Sequence, residues 1–88
     1  MDKMNMMNIM DSLVDHYKDE IEDVHEYAQL AEEADAMGDE KLAKHLYTMA
    51  KQEYEHAHTL RKALMENYGY KPCADHETEK KWLAIKHL

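Results

Sequence analysis

Gln52-Glu53-Tyr54-Glu55-His56-Ala57-His58-Thr59-Leu60 is the stretch on which the reading of the chain turns. Residues three and four apart share one face of a helix. Leu42, Leu46, Met49, Glu53, His56, Leu60, Ala63 and Asn67 step by threes and fours, so they form one stripe. Two places in that stripe hold Glu53 and His56, where a core helix would carry Leu or Ala. An apolar environment tolerates such groups only when they are paired, hydrogen-bonded or bound to a metal. Glu53 and His56 are therefore expected at core positions, with partners supplied from elsewhere in the chain.

A second stripe runs upstream through Leu13, Tyr17, Glu20, Val24, Tyr27, Ala31 and Ala34, widened by Ile9, Ile21 and Ala28. Again a single acid, Glu20, interrupts it. The periodicity predicts helices over 8–37 and 40–67, with Met1 to Asn8 frayed. Gly38 ends the first helix because glycine accepts the left-handed conformation found at helix C-termini, and Asp39 caps the second. Gly69 and Pro72 stop the second helix. Asp75 can cap a short third helix over 76–88, with Trp82, Ile85 and Leu88 on its apolar side. That helix is too short to stand alone, so it must dock on the bundle or on another subunit.

The fold expected is all-α, a single domain over 1–88 built as an antiparallel two-helix hairpin plus the short C-terminal helix. The chain has 88 residues, two Gly and one Pro, and lacks the alternating patterns of strands. Its formal net charge is −8, the acidic excess lying in residues 1–70. Such a body disfavours nucleic acid and anionic membranes as partners and tolerates cations. Cys73 is the only cysteine, which excludes an intrachain disulfide and a four-cysteine metal site. With no signal-peptide pattern and no membrane-spanning apolar run, the expected location is cytoplasmic, or inside a cytosolic protein compartment.

Glu20 lies 18 residues before Gly38 and Glu53 15 after it. At the helical rise these are ~27 Å and ~22 Å from the turn, so the acids face each other across the hairpin within about one turn of helix. A lone hairpin leaves half of its apolar stripe exposed, and a chain this small needs help to bury it. A homodimer forming a four-helix bundle is the economical solution. Its centre would hold two Glu20, two Glu53 and two His56: a Glu from each of two helices and Glu-x-x-His from each of the other two, the ligand pattern of di-iron carboxylate bundles. Four carboxylates balance two divalent cations. Hard oxygen donors with one imidazole suit Fe(II) or Mn(II), and zinc also fits. The alternative is a buried polar network that sets dimer pairing without metal.

From roughly Asp15 to Leu64 the chain resembles the rubrerythrin branch of the ferritin-like superfamily. The residues carrying the resemblance are Glu20, Tyr27 seven residues later, the Gly38 turn, and Glu53-x-x-His56-Ala57 followed by Leu60. It implies that Glu20, Glu53 and His56 are iron ligands and that Tyr27 hydrogen-bonds a ligand carboxylate. Asp23 stands where the second half of a rubrerythrin carries an additional carboxylate ligand. Rubrerythrins carry two such helix pairs, and this chain carries one. It has no four-cysteine rubredoxin domain, so any electrons must come from an external donor. The single pair with a trailing helix is also similar to encapsulated ferritins, whose ferroxidase site spans a dimer interface. The terminal Lys81-Trp82-Leu83-Ala84-Ile85-Lys86-His87-Leu88 does not look like their Gly-rich targeting tail. Three functions follow as expectations: ferroxidase chemistry with O2 or peroxide, peroxide reduction with an external donor, or a non-catalytic dimeric scaffold. Assembly beyond the dimer is expected to run through the C-terminal helix.

Other residues have simpler readings. Met4, Met7 and Met10 could bind Cu(I), but thioethers at this spacing more readily form an adaptable apolar face. Asp15, Asp19, Glu22, Asp23 and Glu26 form either an acidic approach path for cations or a solvated face. His16, His25, His45 and His58 are expected at the surface. Cys73, His76 and His87 make a poor zinc site.

Overall fold

A computed structural model describes residues 3–86, with side chains from Ile9 to Lys86. Helix α1 spans Lys3–Ala36, α2 spans Glu40–Tyr68, a 3-10 turn covers Pro72–Ala74, and α3 spans His76–Ile85. Among the described residues there is no strand. The first helix starts earlier than the sequence pattern suggests. Its Met-rich opening contains neither Gly nor Pro, and Met is a good helix former. The last helix ends at Ile85, so the expectation for Leu88 lies outside the described residues, as do the side chains of Met4 and Met7.

The turn between α1 and α2 follows from local chemistry. Gly38 adopts φ 84°, a left-handed conformation that costs glycine little. Asp39 Oδ1 then accepts from the Leu42 amide at 3.0 Å, satisfying a donor in the first turn of α2. With so short a link the two helices run antiparallel. Gly69, at φ 65°, closes the far end of α2 and its amide donates to the Leu64 carbonyl. Asp75 Oδ1 accepts from the Thr78 amide at 3.3 Å and starts α3.

The seam of the hairpin differs from the stripe expected in α2. Its buried residues are Ala43, Ala50, Ala57 and Leu64, spaced seven apart. Small side chains at a heptad spacing let two helices approach closely. From α1, Tyr17, Ile21, Val24 and Ala28 join Ala50, Ala57 and Leu64 in one buried cluster. The stripe through Leu42, Leu46, Met49, Glu53, His56 and Leu60 lies instead along one edge of the seam. Leu42 is 47% exposed and Met49 39%. Glu53 and His56 are thus edge residues in the single chain, not core residues. The molecule measures 54 × 24 × 15 Å, too thin to wrap that edge.

The other edge is sealed by α3. Trp82 and Ile85 are buried there, and the Trp82 ring stacks on Tyr54 at 5.2 Å with a 5° interplanar angle. Arg61 reaches beneath α3 and ties three elements together. Its guanidinium makes a two-pronged pair with Glu79, one prong from Nη1 to Oε1 and the other from Nη2 to Oε2 at 2.9 Å. Nη1 also donates to the Tyr17 hydroxyl at 2.8 Å, and the guanidinium carbon sits 5.0 Å from the Trp82 ring centroid. Burial pushes the Tyr17 hydroxyl pKa up to about 12, while the Arg61 hydrogen bonds hold Glu79 below the usual carboxylate range. Lys18 with Asp75 at 3.4 Å and Lys81 with Glu22 at 3.3 Å add exposed pairs between α1 and the C-terminal segment.

Glu79→Ala leaves the Arg61 charge without its partner, and Trp82→Ala empties the space under α3. Losses of about 2–3 kcal/mol for the first and about 3–5 kcal/mol for the second are expected in urea unfolding. A Glu79→Ala protein as stable as the parent would remove Arg61 as the anchor of α3.

Candidate metal centre

Glu20 on α1 and Glu53 and His56 on α2 meet on the open edge. One ligand atom from each lies within 4.8 Å of the other two. His56 Nδ1 stands 3.8 Å from Glu20 Oε2 and 3.7 Å from Glu53 Oε1. Both separations exceed a hydrogen bond. The carboxylate side chains are 23% and 22% exposed, whereas His56 is 62% exposed. Placement follows from the fold: Glu53 and His56 share a face at i, i+3, and the Gly38 turn brings Glu20 to their height.

The electrostatics of the trio are unfavourable as they stand. Glu20 Oε2 is buried and lacks a hydrogen-bond partner. Its pKa is pushed up to about 7, first by burial and next by the neighbouring Glu53 carboxylate, which favours a shared proton and repels a second negative charge. His56 works in the opposite direction. Asp23 is also raised, by burial first and then by the charge of Glu53 and other nearby acids. A buried, unpartnered carboxylate oxygen facing a second carboxylate and an imidazole is the environment that a divalent cation relieves. Fe(II), Mn(II) or Zn(II) fits these donors. Three donors leave such an ion short of a full shell, and the exposed side of His56 is where further ligands have room.

The remaining sequence-predicted residues do not join this trio. Asp23 is close enough to feel Glu53 but falls outside the three-donor cluster. Tyr27 is half-buried and packs against the core; among the described residues its hydroxyl makes no hydrogen bond to Glu20 or Glu53. Asp15, Asp19, Glu22 and Glu26 are exposed, as are His25, His45 and His58. His16 is exposed too, but it lines a shallow groove together with Leu13, Glu20, His56 and Leu60. Its position one turn before Glu20 is the sequence signal for that.

A helical hairpin that sets a Glu of one helix against Glu-x-x-His of the next has the architecture of ferritin-like carboxylate proteins. The family model described as Rubrerythrin matches residues 11–86, and the chain belongs to that family. No curated protein and no solved structure matches it. Among the described residues no helix is long and apolar enough to cross a membrane.

The raised Glu20 pKa has a definite sign. Between its ordinary value of 4.5 and about 7 the folded metal-free protein keeps a proton that the unfolded chain releases. Its stability therefore falls as pH rises through that window. Urea midpoints across it should decline, and Glu20→Gln should flatten the decline. An unchanged slope in Glu20→Gln would show that another group controls it.

Proposed function

We propose that two copies of the chain pair through their open edges into a four-helix bundle that holds two irons and oxidises Fe(II) with O2 or peroxide. What carries this reading is the unpartnered Glu20 oxygen beside Glu53 and His56 on a face that one chain leaves uncovered. Around the trio that face is apolar, with Leu13 and Leu60 half-buried and Leu42 and Met49 exposed. Pairing would bury it and bring a second trio to the first, making up the missing ligands. Membership of the rubrerythrin family supports iron as the metal.

Two ferrous ions together supply two electrons, which with two protons reduce O2 to H2O2 or H2O2 to two waters. The residues supply the setting. Glu53 and Glu20 of each chain would hold the irons through their carboxylates, and His56 would give each centre a nitrogen. Glu20, whose pKa lies near neutrality, gives up its proton when a cation arrives. Tyr27, two turns along the same face from Glu20, orients a carboxylate once the bundle closes. Asp23 is an additional carboxylate at the rim.

A second reading keeps the same centre but makes peroxide the physiological oxidant and a separate protein the electron donor. The family match favours it. Rapid oxidation of the di-ferrous protein by H2O2 but not by O2 would distinguish it in stopped-flow absorbance.

Native mass spectrometry before and after anaerobic Fe(II) tests the common core. A dimer gaining two irons is expected, with Glu53→Ala gaining none and losing iron oxidation. A dimer that takes up no iron would leave the trio as a pairing network in a scaffold, and a fully active Glu53→Ala protein would sink the assignment of this site.

A further inference from the structure

Tyr47, Lys51, Tyr54, His58 and Lys62 step by fours and threes along α2, on the side away from Glu53 and His56. Beside them run Trp82, Ile85 and Lys86. Two concavities open between these rows. One, of about 430 Å³, is floored by Val24, Ala28, Ala50 and Ile85 and rimmed by Lys51 and Lys86. The other, of about 530 Å³, is lined by His58, Arg61, Lys62, Met65 and Trp82. Tyr54 and Lys86 line both, so the two form one groove, with Lys51 and Lys86 beside its apolar floor and Arg61 and Lys62 further along.

The charge of this groove runs against that of the chain. The protein carries 19 Asp and Glu against 11 Lys and Arg, yet no carboxylate lines either part of the groove. Arg61 is committed to Glu79. Lys51, Lys62 and Lys86 have no ion pair among the described residues, and Glu79, which feels the charge of Lys86, is already held by Arg61. Unpaired ammonium groups at the mouth of an apolar cleft of small-molecule size suit a ligand that is anionic at one end and apolar along the rest.

We propose that the α2–α3 groove binds a free long-chain carboxylate, its acyl chain against Val24, Ala28, Ala50 and Ile85 and its head group between Lys51 and Lys86. The cleft is concave, and the acidic body around it repels an anionic bilayer, so a monomeric amphiphile is favoured over a membrane surface. The site is separate from the metal centre and does not depend on iron.

Trp82 is the only tryptophan and lines the groove, so its emission reports occupancy. The full chain without metal is titrated with dodecanoate below its micellar concentration, and the stoichiometry is checked by calorimetry. A saturable change at one ligand per chain is expected, with dodecanol and dodecyltrimethylammonium binding much more weakly. The double variant Lys51→Glu, Lys86→Glu alters two exposed side chains, so circular dichroism and the melting temperature should stay near the parent's while dodecanoate affinity falls about tenfold or more. Equal binding of the neutral and anionic probes, or full affinity in the double variant, would overturn the proposal. So would an emission change that follows protein concentration with a doubled mass in sedimentation, which assigns the groove to a second copy. Binding to phosphatidylglycerol vesicles without binding of free dodecanoate would overturn it in favour of a membrane surface.

Discussion

The pair between Arg61 and Glu79 settles which way this small protein faces. A two-helix hairpin has two open edges with nearly equal claim on any third element. Arg61 breaks that equivalence by holding Glu79 of α3, the Tyr17 hydroxyl of α1 and the face of Trp82 at once. A guanidinium suits this role because its planar fork satisfies a carboxylate with two donors and can still lie over an aromatic ring. With α3 fixed on that edge, the opposite edge stays bare, and Glu20, Glu53 and His56 stand on it.

The two edges consequently carry different chemistry. On the sealed side the charged groups are matched: Arg61 donates to both Glu79 and the Tyr17 hydroxyl, Glu79 is held below its usual range, and the rings of Tyr17, Tyr54 and Trp82 pack together, while the unpartnered Tyr70 hydroxyl there is neutral. On the bare side they are mismatched, with a buried carboxylate oxygen unpartnered and a second carboxylate beside it. Natural folds concentrate such violations at functional sites and keep the remainder consistent. The contrast between the edges therefore says more about function than the trio would by itself.

Much of the hairpin is legible in the sequence because its determinants are local. Gly38 followed by Asp39, and Asp75 three residues before Thr78, act within single turns. The meeting of Glu20 with Glu53 is legible by counting residues from the turn, since helical rise is nearly invariant. The seam is not legible in the same way. Leu42, Leu46 and Met49 carry a stronger apolar signal than Ala43, Ala50 and Ala57, yet the alanines are the ones buried. Close helix approach selects small side chains, and the larger ones are displaced to the edge, where the single chain leaves them partly uncovered. The Arg61–Glu79 pairing is equally hidden, because it depends on where α3 docks and no periodicity encodes that.

An alanine seam is smooth. Ala43, Ala50 and Ala57 repeat every two turns, so sliding one helix along the other by that interval would present nearly the same surface. The alanine part of the seam thus does little to fix the axial alignment of α1 and α2, and features at either end reinforce it. The tight Gly38-Asp39 link stops the slide at one end, and the hydrogen bond from Arg61 to Tyr17 stops it at the other. Glu20 and Glu53 lie between these two stops. Their opposition is set from a distance, like marks on two rulers clamped at the ends, so the carboxylates inherit any slack introduced at the turn or beneath α3.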